Sequence, residues 1–157
     1  IIEVGLHPDG SLRDRHLWHL PPLAPRLLAL RMDAELDFAS ASALERNLSE
    51  RLAGNPQVNH VCLFAQPINR IDVTGVETFA RLQALVRFHG STLHLSGLKL
   101  PVEKVLRRAG VLGGESALRM YRSDTEAVRA LQKMQDSVHE APALFETITS
   151  VPNSDTH

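Results

Sequence analysis

The sequence predicts an α/β fold, a single small sheet of about four to five strands covered by about four helices. Apolar runs of strand length alternate along the chain with stretches of helical periodicity. Gly or Pro marks most of the changeovers. The 157 residues suit one domain, large enough to bury ~68–70% of its unfolded surface around one core.

Ile1-Ile2-Glu3-Val4 opens as a strand, with no initiator Met, basic n-region or apolar leader, so a piece of a longer polypeptide is expected. Pro8-Asp9-Gly10-Ser11 is a turn, and Pro21, Pro22 and Pro25 restrict the segment up to residue 26 to loop or sheet edge. Leu27 to Met32 is an apolar run of strand length. From about Ala39 to Leu52 the period changes: Ala41, Leu44, Leu48 and Leu52 share one helical face, Ser42 and Glu45 have capping-box spacing, and Gly54-Asn55-Pro56 stops the helix.

Val58 to Phe64 is a second buried strand carrying Cys62, the lone cysteine, expected as a small buried hydrophobe. Val76 to about Phe88 is helical, with Phe79, Leu82 and Val86 on one face and Gly90 as the stop. Ser91 to Leu98 alternates, Leu93 and Leu95 against Thr92, His94 and Ser96, as in a strand with one buried face; His94 is expected on the polar side, solvated or hydrogen-bonded. Pro101 opens a short helix with Val102, Val105, Leu106 and Ala109 as its stripe. Gly113-Gly114 is a turn, and a brief apolar patch spans Leu118 to Tyr121. Ser123-Asp124-Thr125-Glu126 forms a capping box for a last helix with Ala127, Ala130, Leu131 and Met134 inward. Residues 137–157 lose periodicity and are expected as a flexible tail.

Composition excludes several functions. Lys+Arg 17 against Asp+Glu 18 leaves a net charge of −1, which gives no basic field for nucleic acid or an anionic membrane surface. One cysteine allows no intrachain disulfide and fits a reducing compartment. No apolar run approaches the ~20 residues of a spanning helix, so direct membrane insertion by this segment is not expected. His16 and His19 are three apart but sit in a Pro-rich loop without the further ligands a zinc site needs, so they are expected as surface histidines and no metal is expected. Lys104, Arg107 and Arg108 form a solvated basic helix face. No nucleophile elbow, phosphate-cradling loop or dinucleotide fingerprint occurs, and no nucleophile, base and oxyanion donor assemble. Neither a catalytic residue nor a cofactor is expected.

The informative segment is Pro67-Ile68-Asn69-Arg70-Ile71-Asp72-Val73-Thr74-Gly75-Val76-Glu77, which joins the Cys62 strand to the following helix. Thr74 and Glu77 have capping-box spacing, so Thr74 is expected as the helix N-cap, worth ~1 kcal/mol. Asp72 has two other readings, pairing with Arg70 or capping the helix.

Ile71-Asp72-Val73-Thr74-Gly75 resembles the hydrophobic-Asp-x-(Ser/Thr)-Gly motif of the STAS domain, a module shared by sulfate-type anion transporters and bacterial anti-sigma factor antagonists. Leu30 to Ala39 is similar to the Arg-hydrophobic-Asp-x-x-Leu-x-Phe-(Ala) signature of SulP-type permeases. The lead-in Glu3-Val4-Gly5 with Leu12-Arg13-Asp14, and the segments Leu95 to Val102 and Leu106 to Gly110, also fit that branch, so that the resemblance covers about residues 1 to 135.

The resemblance implies a lead-in over 1–26 joining a membrane part, a core over 27–136, and a tail over 137–157. It implies a non-catalytic regulatory and assembly module at the cytoplasmic face of the inner membrane. The expected partners are the membrane domain of the same polypeptide, a homodimer through the parent transporter, and a regulatory protein or a weakly held nucleotide. Asn69, Arg70, Asp72, Thr74, Gly75 and Glu77 would form the interaction loop. The alternative carries over the antagonist mechanism, with Thr74 as phosphoacceptor at the helix head. Phe64 and Gln66 stand where the family often has Asp and Ser, which removes an acidic group that would help hold a phosphate-bearing ligand.

Overall fold

A computed structural model describes residues 1–32, 38–112 and 118–134. The expectations for Gly113-Gly114, for residues 33–37 of the permease-like signature and for the tail lie outside the described residues. So does the side chain of Ala41.

Six strands form one mixed sheet in the order β2-β1-β3-β4-β5-β6. They are β1 (Ile2–Leu6), β2 (Leu12–Asp14), β3 (Leu27–Arg31), β4 (His60–Phe64), β5 (Thr92–Ser96) and β6 (Leu118–Tyr121). Helices α1 (Phe38–Ala53), α2 (Val73–Phe88) and α3 (Leu100–Arg108) fill the crossovers between the parallel strands β3 to β6. A fourth helix, α4, is described over 124–134. The α/β class is as expected, but the sheet has two strands more than the strongest apolar runs indicate. Leu12–Asp14 is held as an edge by β1, with Leu6 opposite Leu12. Leu118–Tyr121 completes the other edge against β5. Both are too short for a period to emerge.

Successive crossovers of one hand place their helices on one face of a parallel sheet. Leu44, Leu48 and Leu52 of α1, Phe79, Leu82 and Val86 of α2, and Val102 and Leu106 of α3 accordingly share a core cluster with Leu28, Leu30, Val61, Leu63, Leu93 and Leu95. Val105, expected in the α3 stripe, is instead 38% exposed. The other residues of β3 and β4, Leu27, Ala29, Cys62 and Phe64, pack beneath Ala127 and Leu131 of α4 and the lead-in residues Val4, Leu23 and Ala24. Cys62 is wholly buried, and burial pushes its thiol up, which makes it inert as a nucleophile.

Two sequence-based expectations are corrected. The α1 helix begins at Phe38, so Ser42 and Glu45 lie inside it rather than at its head; Glu45 instead receives Arg81 Nε at 3.0 Å, tying α1 to α2. The second correction concerns β5. His94 and Ser96 are as buried as Leu93 and Leu95, because α4 and β6 close the face expected to meet water. Their polar atoms are matched within the protein. Ser96 Oγ donates to Asp124 Oδ1 at 2.6 Å, and the His94 ring lies between His60 (3.1 Å) and the Tyr121 hydroxyl (3.0 Å).

Gly97, directly after β5, has φ +73°, and a Cβ there would lie 3.2 Å from Gln66 Cβ and 3.4 Å from Asp124 Oδ1. Gly97→Ala is expected to cost ~1–2 kcal/mol, from the left-handed backbone and the contact together, read as a lower midpoint in urea unfolding.

Candidate functional site

The segment between β4 and α2 is anchored at both ends and exposed in the middle. Ala65 N–H donates to Ser96 at 2.9 Å and Ile68 N–H to Ala65 at 3.0 Å. Ile68 is buried in the helix-covered core, and Ile71 packs against its margin. Between and beyond these anchors Asn69, Arg70, Asp72 and Val73 face outward. Lys99 Nζ donates to Asn69 Oδ1, linking the loop to the residue that precedes α3. The segment thus sits at the carboxyl ends of β4 and β5, where parallel sheets gather ligands and partners.

The helix head differs from the capping box expected at Thr74 and Glu77. Asp72 is the N-cap: its backbone is extended (φ −99°, ψ −178°) and its Oδ1 accepts from Gly75 N–H at 2.7 Å. Val76 N–H donates to the Asp72 carbonyl at 2.9 Å, so α2 starts at Val73, three residues before the expected Val76. A carboxylate accepts this bond more strongly than a hydroxyl and also faces the positive end of the helix dipole. Asp72 therefore takes the position, and Thr74 falls inside the first turn. Asp72→Ala is expected to cost ~1 kcal/mol and Thr74→Ala less than ~0.5 kcal/mol in urea unfolding, the reverse of the order a Thr74 cap requires.

The first turn presents one apolar group, Val73, which is 76% exposed, beside the half-buried Thr74 and the exposed Glu77. Gly75 and Thr78 on its inner side are buried, and Thr78 Oγ1 accepts from Arg81 at 3.2 Å. Of the six sequence-predicted residues, Asn69, Arg70, Asp72 and Glu77 are exposed, Thr74 is half-buried and Gly75 lies beneath them.

The other candidates fall elsewhere. His16 is an exposed residue whose Nε2 lies 2.8 Å from Glu3, a carboxylate also met by Arg15 at 3.3 Å and Arg51 at 3.4 Å. Among the described residues no three His, Cys, Asp or Glu side chains gather as metal ligands. Arg107 pairs with Glu103 at 2.8 Å within α3. No helix of the described residues is long and apolar enough to cross a membrane.

Sequence reasoning missed the polar chain His60–His94–Tyr121 across β4, β5 and β6. Its signal was available, since His60 alternates with Cys62 and Phe64 on the strand face that α4 covers. What the sequence alone lacked was the sixth strand that brings Tyr121 alongside.

A parallel sheet covered by helices, with the capped head of α2 held at the carboxyl ends of its strands, defines a protein of the α/β class. The STAS-domain model matches residues 22–141, and the chain belongs to the STAS-domain family. Solved structures share the fold. The murine anion transporter Slc26a9, in its inward-facing state, aligns with TM-score 0.70 at 14% identity over 84% of this chain and 22% of its own. A Thermotoga maritima protein described as an anti-sigma factor antagonist aligns with TM-score 0.60 at 17% identity over 75% of this chain and 98% of its own. A sulfate transporter family protein from Wolinella succinogenes aligns with TM-score 0.54 at 19% identity over 80% of this chain and 99% of its own. No curated protein sequence matches this one.

Proposed function

We propose that this chain is the non-catalytic regulatory and assembly module of a SulP-type secondary anion transporter, and that the Asn69–Glu77 segment is its docking surface. The observation that carries the docking role is Val73, an apolar side chain 76% exposed on a helix head that is otherwise fixed by the Asp72 cap and the buried Ile68. An exposed apolar group framed by polar neighbours on a rigid element suits recognition, because little order has to be imposed on binding. The transporter branch is supported by the extent of the likeness, which is longer along this chain for the murine transporter than for the antagonist.

In this reading the membrane domain of the same polypeptide moves the anion, and this domain acts from the cytoplasmic face on assembly, homodimer formation or transport rate. The test is the coding sequence upstream of Ile1. A series of apolar spanning segments is expected; a start codon within a few residues of Ile1 overturns the transporter reading.

The second reading is a soluble phosphoswitch with Thr74 as phosphoacceptor, favoured by the half-buried hydroxyl in the first turn of α2. Two features oppose it. The Gly75 amide that would receive a phosphate is already occupied by Asp72 Oδ1 at 2.7 Å, and the exposed Glu77 adds a like charge on the same turn. Phosphopeptide mass spectrometry of protein from its native host separates the two: unmodified Thr74 is expected, and a stoichiometric phosphothreonine there replaces docking by switching. Nucleotide binding is a third class. Phe64, wholly buried at the end of β4, supplies no acidic group there, and titration with GTP or ATP is expected to be flat.

A further inference from the structure

Residues 118–134, β6 followed directly by α4, close one edge of the sheet and the face over Cys62 and His94. A continuous polar chain runs from the sheet into this segment, His60 on β4 to His94 on β5 at 3.1 Å and His94 to Tyr121 on β6 at 3.0 Å. We propose that residues 118–134 are an acid-released latch: protonation at His94 and His60 opens this segment from the sheet while the α1–α3 side of the core stays folded.

The chain is satisfied without charge. A neutral imidazole offers one donor and one acceptor nitrogen, so a neutral His94 serves His60 and the Tyr121 hydroxyl together. A proton on His94 keeps both bonds but places a charge on a ring that is wholly buried between uncharged partners. A second proton, on His60, turns the two nitrogens 3.1 Å apart into facing donors. The surroundings favour the neutral form. Burial first, then His60 and the Arg119 guanidinium of β6, hold the His94 pKa down at about 4. On β4, burial keeps the Cys62 thiol neutral. On α4, Asp124 accepts from Ser96 Oγ at 2.6 Å, Glu126 acts on Tyr121, and Arg129 and Lys133 are exposed. From the lead-in, Arg26 meets His60 through its backbone carbonyl, 3.2 Å from the His60 amide.

The way the segment is attached decides where the fold gives. The first helix buries Leu44, Leu48 and Leu52 and the second Phe79, Leu82 and Val86, whereas α4 buries Ala127 and Leu131. Strand β6 stands at the end of the sheet and pairs with β5. Its other polar ties to β5 and the residue after it are the Tyr121–His94 contact, the Ser96–Asp124 bond and Gly97 N–H to the Tyr121 carbonyl at 3.0 Å. Segments with few buried apolar contacts open at lower free energy than the whole fold. Opening of 118–134 uncovers His94, which then takes up a proton at its ordinary pKa. The latch lies on the face away from the α1–α3 layer and does not rest on the docking role of α2.

Cys62, the single cysteine, lies under α4 and reports the opening. The test is its labelling by dithiodipyridine in the range where rate is proportional to reagent, each rate divided by that of the urea-unfolded chain at the same pH. From pH 7 to pH 5 this ratio is expected to rise ~20-fold, the linkage expected for one histidine whose pKa moves from about 4 closed to 6.5 open. At pH 5 labelling is expected to depend on urea less than about half as steeply as global unfolding, because a part of the chain exposes less surface than the whole. These two readings use the parent protein and need no variant. His94→Gln is expected to remove most of the rise, and Ser96→Ala to raise labelling ~10-fold at both pH values, the scale of one hydrogen bond to a charged group. The proposal is overturned by a ratio that stays constant from pH 7 to pH 5, by labelling that shares the urea dependence of global unfolding, by a full rise in folded His94→Gln, or by unaltered labelling in Ser96→Ala.

Discussion

Leu82→Ala should lower the stability of the protein by ~2–5 kcal/mol, the cost of removing most of a wholly buried side chain and leaving a cavity that the surroundings only partly fill. Leu82 has no exposed surface and belongs to the cluster that joins α1 and α2 to the sheet. The loss should appear as a fall in the urea midpoint at constant slope, which reports stability rather than a changed denatured state. Amide exchange of α2 should accelerate with it, because this residue holds down the helix whose head carries Val73 and Thr74. Phe88→Ser on the same helix removes an exposed ring and should stay within ~0.5 kcal/mol of the parent. An equal loss in both variants would contradict the assignment of the buried face.

Acidification from pH 6.5 to about 4 should cost the fold on the order of 2 kcal/mol, and His94→Gln should remove most of that dependence. The His94 ring is wholly enclosed by the residues around it. Burial, then the nearby His60 and Arg119, lower its pKa from 6.5 to about 4. His60, half-buried, is lowered too, by burial first and Arg119 second. Tyr121, on the far side of the ring, is raised chiefly by burial and stays a neutral hydrogen-bond partner. A histidine with a depressed folded pKa is neutral when folded and charged when unfolded across the interval between the two values. The unfolded chain therefore takes up protons that the folded one refuses. Stability is full above pH 6.5 and declines as the pH falls toward 4.

A separate loss belongs to lower pH. Asp9 and Asp14 have carboxyls held below the ordinary value of 3.8, the first mainly by the Ser11 hydroxyl and the second mainly by the Leu17 amide. Their contribution is present above 3.8 and disappears below it, so the histidine window can be read without them. The check is urea unfolding at half-unit pH steps. A midpoint that stays constant from pH 6.5 to 4.5 contradicts the account of His94.

The elements with a long apolar period were legible in the sequence. The Leu44–Leu48–Leu52 stripe and the Phe79–Leu82–Val86 stripe each placed a helix on the correct face, and the runs 27–32 and 58–64 each gave a strand. Short edges were not legible: Leu12–Asp14 and Leu118–Tyr121 gain their strand geometry from β1 and β5, not from local pattern. Alternation misled at His94 and Ser96, because a polar residue marks solvent only when nothing else can satisfy it. Here His60, Tyr121 and Asp124 do so from other elements.

The candidate loop was found from its residues, but the helix head was placed too late. Capping-box spacing at Thr74 and Glu77 competed with an Asp72 that offers the stronger acceptor.

The central claim is that the head of α2 acts by contact. Its most direct measurement is anion uptake by the natural full-length polypeptide in proteoliposomes, comparing Val73→Glu with the parent and with Phe88→Glu at the other end of the same helix. Val73 is exposed, so the substitution should leave the thermal melt unchanged while introducing a charge into the contact. The account predicts reduced uptake or dimer assembly for Val73→Glu alone. Parental uptake and assembly in Val73→Glu would contradict it.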